Sequence, residues 1–100
     1  MNMQIFEAIE QWADDRNIIK GSDPKSQFIK LMEEVGELAE GIRRGDLAEV
    51  QDGIGDVVVV LTILAAQHNL FIGNCIESAY TEIKDRKGVM RNGVFCKNET

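Results

Sequence analysis

From Asp46 to Gln67 the chain runs without a proline or a turn cluster, and this stretch contains the block GDVVVVLTILAA. Four consecutive valines favour a strand by local propensity. A strand of such length is unusual in a small domain, however, so the stretch is read as one long helix. Apolar residues, with Thr62 among them, occupy every face of Val57 to Ala66, which requires cover on all sides. Four helices of this size do not readily enclose one of their own members, so a partner subunit is the expected cover.

The rest of the chain supplies three shorter helical patterns. Ile5, Phe6, Ile9, Trp12 and Ala13 recur at three- and four-residue spacing and predict a first helix over about Asn2 to Arg16, ending before the turn cluster KGSDP. Asp23 is an N-cap candidate with Pro24 at the first helical position, where its missing N–H costs nothing. A second helix follows to about Arg44, its apolar seam Phe28, Leu31, Val35, Leu38 and Ile42 expected to face the core, and Gly45 ends it. Asp46 with Glu49 forms a capping box for the long third helix, which should reach His68 or Asn69. Asn74 with Glu77 offers a cap for a fourth helix to about Lys87, closed by Gly88. The tail VMRNGVFCKNET holds an Asn92-Gly93 turn signal and an end expected to fray; with Phe95 it is either a plain turn or a flap. The expectation is a single all-α domain over residues 1–100, a four-helix bundle whose helices pair across a homodimer or homotetramer.

With 100 residues, 44% of them hydrophobic, one modest core is available. A net charge of -6 gives no field to attract a nucleic-acid backbone. The longest apolar run is shorter than the roughly 20 residues that span a bilayer. Glu7 and Glu10 stand where a cleavable signal would be apolar, so a cytoplasmic location is expected. Cys75 and Cys96 lack metal-ligand spacing and are read as free thiols.

Charge is concentrated in KLMEEVGELAE, where Glu33, Glu34, Glu37 and Glu40 crowd one helix although like charges three or four apart repel. With the Phe28/Val35/Ile42 seam inward, Glu33 and Glu37 fall opposite it and Glu34 lies between, which fits a solvated face. The third helix changes the balance. Glu49, Asp52 and Asp56 form a stripe that continues into Val59, Val60 and Ile63, so Asp56 sits where its face turns apolar. A carboxylate entering such surroundings neutralises, pairs with a base or binds a cation. No Lys or Arg occurs from Gln51 to Ile83. If the second and third helices are antiparallel neighbours, Glu34 and Glu37 come level with Asp52 and Asp56. An oxygen-only set suits Mg²⁺, with Mn²⁺ as alternative, rather than zinc. The single His68 has Ala65 three residues before it, so the Glu-x-x-His step of di-iron bundles is missing, and His68 reads as a helix-end residue.

EEVGELAE followed by DGIGDVVVVLTILAAQHNL resembles the MazG-like branch of the all-α nucleoside triphosphate pyrophosphatases, and the likeness runs from Trp12 to EIKDRKGVMRNGVFCK. The family pattern is Glu-Glu-x-x-Glu and, after a gap, Glu-x-x-Asp. Glu33, Glu34 and Glu37 match the first part and Asp56 the final aspartate. Gly53 stands three residues before Asp56, where the second part of the pattern has its glutamate, and Asp52 beside it is the substitute ligand; Glu49 and Asp52 also spell Glu-x-x-Asp one turn early. The resemblance implies hydrolysis of a nucleoside triphosphate between the α- and β-phosphates. Catalysis would then fall to Glu33, Glu34, Glu37 and Asp56, with Glu33 orienting a water and metal held by Glu34, Glu37, Asp52 and Asp56. Lys30, Lys84, Arg86 and Lys87 are candidate contacts to the polyphosphate or, equally, solubilising helix-end cations. Trp12 is a candidate to stack on the base, although its spacing with Ile5 and Ile9 fits a core residue better. Two alternatives remain: a catalytically silent helical module, which Gly53 favours, and a pyrophosphohydrolase for a deoxyuridine nucleotide or phosphoribosyl-ATP.

Overall fold

Two long helices joined by a two-residue turn form the body of the protein in a computed structural model that describes residues 2–98. The first of them, α2 (Pro24–Arg44), starts where predicted: the Asp23 carboxylate accepts from the Ser26 backbone N–H at 2.8 Å and from its hydroxyl at 3.0 Å. It stops at Gly45, whose φ of 67° is the left-handed conformation that glycine adopts without a Cβ clash. In the second, α3 (Leu47–Gln67), the Asp46 side chain accepts from the Glu49 N–H at 3.2 Å, half of a capping box. His68 caps the far end, its Nδ1 2.8 Å from the Leu64 carbonyl, so it serves the helix terminus as expected.

The α2–α3 crossing is tight because two glycines sit in it. A Cβ on Gly53 would lie 3.0 Å from Leu38 Cβ, and one on Gly41 would lie 3.2 Å from the Val50 backbone nitrogen. Gly41 opposite Val50 and Leu38 opposite Gly53 set an antiparallel register that brings Glu34 level with Asp56 and Val57. The contact stripe of α2 is therefore Gln27, Leu31, Glu34, Leu38 and Gly41, all buried or half-buried. This corrects the expected seam. Phe28, Val35 and Ile42 each lie one position, about 100°, beyond a contact residue, and all three are exposed, Phe28 at 54%. Ile54 follows Gly53 in the same way. In an antiparallel pair these side chains share one flank, leaving an apolar stripe that no described residue covers.

The helix α1 (Gln4–Asp15) packs on α3 through Phe6, Ile9, Glu10 and the fully buried Ala13. The buried apolar set is small: Ala13, Val60, Ile63, Ala65 and Ile72. Burying each valine or isoleucine contributes about 1.5–3 kcal/mol. Thr62, also buried, satisfies its hydroxyl by donating to the Val58 carbonyl at 2.8 Å. Gln67 Nε2 donates to the Ile19 carbonyl at 3.1 Å and ties the loop after α1 to the end of α3.

The fourth helix, α4 (Ile72–Ile83), starts two residues before the predicted cap. The Phe71 carbonyl, not the Asn74 side chain, receives the first N–H groups, and Ile72 and Gly73 are buried, Gly73 against Met3. Burial of that first turn, rather than a polar cap, fixes the start. The helix ends at Ile83 instead of near Lys87. The tail then forms a hairpin, β1 (Gly88–Arg91) paired antiparallel with β2 (Val94–Lys97), an element beyond the expected plain turn. Asn92 and Gly93 have φ of 51° and 82°, as a two-residue primed turn requires. The expected fraying falls on residues 99–100, outside the described residues. The radius of gyration of 16.0 Å exceeds the roughly 13 Å of a compact domain of this length. No single helix among the described residues is long and apolar enough to cross a membrane. Cys75 and Cys96 are free thiols.

Candidate active site

A cavity of about 420 Å³ opens between α1, α2 and α3, lined by Trp12, Ile18, Gln27, Lys30, Glu34, Asp56, Val59, Val60 and Ile63. Four of the predicted site residues meet there: Trp12, Lys30, Glu34 and Asp56. The walls follow from helical spacing: Gln27, Lys30 and Glu34 lie on one stripe of α2, and Asp56, Val59, Val60 and Ile63 on one stripe of α3. Ile18, Gln27, Val59, Val60 and Ile63 were not expected as site residues. For Gln27, Val59, Val60 and Ile63 the signal was helical spacing of three, four or seven residues from the two carboxylates, which is equally the signal of ordinary core; Ile18, in the loop after α1, carried no such signal.

Glu34 is the unusual member. It is 7% exposed, at the centre of a helix contact where a carboxylate is expensive to desolvate. Oε1 pairs with Lys30 Nζ at 3.2 Å. Oε2 is shut off from solvent and has no hydrogen-bond partner among the described residues. The Glu34 carboxylate, with Glu33 3.8 Å away as a weaker contributor, holds the Lys30 ammonium above the usual lysine range.

Trp12 is not a core residue. It is 43% exposed on the cavity wall, with the Arg16 guanidinium 4.7 Å from its ring centroid. The first helix buries its Phe6/Ile9/Ala13 face, which leaves Ile5 and Trp12 on its flank.

Glu33, Glu37 and Asp52 are exposed and lie outside the cavity lining. The wheel places them on the same flank of the helix pair as Asp56, opposite Phe28, Val35 and Ile42. Yet among the described residues no three His, Cys, Asp or Glu side chains stand close enough to hold one ion. The expected four-carboxylate cage is thus not closed within one chain. With Gly53 pointing at Leu38, Asp52 is turned about 100° away from α2, and Glu37 about 60° from the Glu34 direction. Glu40 is held below the usual carboxylate range by Arg43 and then Arg44, which removes it from the site. Lys84, Arg86 and Lys87 are exposed beyond the end of α4 and do not line the cavity.

The cavity of this all-α domain thus combines a buried, half-satisfied carboxylate, a second carboxylate, one ammonium and an indole wall. The sequence profile of the MazG nucleotide pyrophosphohydrolase domain matches residues 22–88, and the chain belongs to that family. The matched span covers α2, α3 and α4. Haemophilus phage HP1 encodes a similar protein, described as an uncharacterized 18.2 kDa protein in the rep-hol intergenic region. It is 49% identical over 67 residues, which are 67% of this chain and 41% of that protein. The chain thus matches well under half the length of this relative. No solved structure matches.

Proposed function

We propose that this domain hydrolyses nucleoside triphosphates at the α–β phosphoanhydride, releasing a monophosphate and pyrophosphate, and that it uses Mg²⁺ or Mn²⁺ and works as a homo-oligomer. Membership of a nucleotide pyrophosphohydrolase family supports the reaction class. The observation that carries the reading is Glu34 Oε2, a buried acceptor without a partner in the same cavity as Asp56.

The donors fit the proposed metal. Mg²⁺ usually keeps several waters and is held by one or two carboxylates together with substrate phosphates. Glu34 and Asp56 are the residues that would hold it, and Glu37 and Asp52 on the same flank would accept hydrogen bonds from its waters. When bound, such an ion neutralises phosphate charge and makes a water more acidic. Lys30 is the cation at hand for a phosphate oxygen once Glu34 is otherwise engaged. Glu33, exposed and 3.8 Å from Lys30, would orient the attacking water. Trp12, Ile18 and Ile63 supply an apolar wall for a base or sugar. The uncovered Phe28/Val35/Ile42/Ile54 flank and the incompletely covered α3 support association of copies.

Gly53 packs against Leu38 in the tight α2–α3 contact, and a catalytically silent module, which would show no turnover, is the alternative that the same assay decides. The test is a panel of ribo- and deoxynucleoside triphosphates, with dUTP included, incubated with and without Mg²⁺ and the products separated. Pyrophosphate and monophosphate are expected with metal only. Release of orthophosphate, or metal-independent turnover, would refute the proposal.

A further inference from the structure

We propose that residues 84–98 form a basic arm that reaches onto a second copy of the chain and closes that copy's Glu34/Asp56 cavity, with Arg91 at the hairpin tip set against the bound polyphosphate; this rests on the nucleotide reading above.

Residues 84–98 contain five lysines and arginines against one acid, whereas residues 1–83 contain six against fifteen. The arm is a cationic segment attached to an anionic body, and the acids of that body include the cavity carboxylates. Lys30 is the one cation among the described cavity-lining residues, and it is already paired with Glu34. A triphosphate needs more positive charge than that. Arg43 and Arg44 are engaged by Glu40, whereas Lys84, Arg86, Lys87, Arg91 and Lys97 form no ion pair among the described residues.

The arm also lacks a support of its own. Every strand residue except Gly88 is exposed, and Val89, Met90, Val94 and Phe95 present apolar side chains to solvent. A lone two-stranded hairpin is marginal in water, so this one needs a surface to lie on. Its own chain does not offer the cavity: α4 leaves α3 at 102°, and no residue of 84–98 lines the site. A second copy does offer it. Two-fold symmetry makes the exchange reciprocal, each copy giving an arm and receiving one, and the assembly closes at two. Arg91, paired with Val94 across the Asn92-Gly93 turn, is the cation nearest the tip and carries the bidentate donors that phosphate oxygens accept.

Two measurements on the full chain test this. In the first, ¹⁵N-labelled and unlabelled protein are mixed and treated with a carbodiimide, which joins lysine amines directly to carboxylates. Mixed-isotope peptide pairs linking Lys84, Lys87 or Lys97 to Glu33, Glu37, Asp52 or Asp56 are expected; same-isotope links alone, or none to these acids, overturn the proposal. In the second, Arg91→Ala should lower kcat/KM by roughly tenfold or more while Arg91→Lys keeps most of it. Mixing Arg91→Ala with Glu34→Gln at equal amounts should restore about a quarter of wild-type turnover, because half of the dimers are mixed and each holds one complete site. Full activity in Arg91→Ala, or no recovery on mixing, overturns the proposal. If the mixed-isotope links form but the wild type cleaves no nucleotide, the docking of the arm stands and the nucleotide reading falls.

Discussion

Replacing Gly53 by alanine adds one methyl group at the closest point of the α2–α3 contact. That methyl would stand 3.0 Å from Leu38 Cβ and 3.1 Å from both Leu38 Cα and Cδ1. A rotamer change can move Cδ1, but Cα belongs to the α2 backbone, so the helices themselves must separate. Overpacking of this kind costs about 1–3 kcal/mol. Against it stands the gain of about 1 kcal/mol from replacing glycine by alanine inside a helix. Gly55, two residues on, has nothing within 4 Å of an added Cβ and should show the gain alone. Gly53→Ala should therefore be less stable than Gly55→Ala by about 1–3 kcal/mol. In urea unfolding followed by circular dichroism, that corresponds to midpoints roughly 1 M apart. Protein concentration must be held fixed, since association shifts the midpoint of either variant. Turnover should fall in Gly53→Ala as Glu34 and Asp56 are pushed apart. Midpoints that move together in the two variants would refute the close-packing account. Gly53→Glu, which restores the acid of the family pattern, should be worse than Gly53→Ala in both stability and turnover.

Glu34→Gln and Asp56→Asn should each reduce kcat by about 100-fold or more with helical circular dichroism unchanged, as expected when a metal-holding carboxylate is lost; near-normal turnover in either variant removes that residue from the site. Millimolar Mg²⁺ should raise the thermal midpoint of the wild type but not that of Asp56→Asn, since an ion bound only by the folded state stabilises it; equal shifts would place the ion elsewhere. Asp23 is held below the usual carboxylate range mainly by the Ser26 backbone N–H. Its contribution is thus present above the unfolded pKa, near 3.9, and is lost as pH falls through the folded value. Asp23→Asn should flatten the stability profile between about pH 2 and 5, and an unchanged slope would show that other acids dominate there.

The capping chemistry was legible in the residues. Asp23-Pro24, Gly45-Asp46 and Asn92-Gly93 each impose a local backbone conformation, and α2, α3 and the turn of the hairpin appear where those residues put them. The start of α4 was misread because it has no polar cap; burial of Ile72 and Gly73 sets it instead. Trp12 and the α2 seam were misread for a related reason. Spacing tells which side chains share a face, and Phe28/Val35/Ile42 make as good a face as Leu31/Leu38.

The sequence by itself determined the helices, the antiparallel turn between α2 and α3, and the presence of two acidic stripes, because these depend on interactions within a few residues. Only the tertiary structure decided how far each helix is rotated about its own axis. That angle follows from which surfaces approach most closely, and Gly41 and Gly53 let α2 and α3 meet along a stripe that contains Glu34. The rotation buries one carboxylate of the acidic run beside Asp56, leaves its neighbours at the rim, and turns the larger apolar side chains outward.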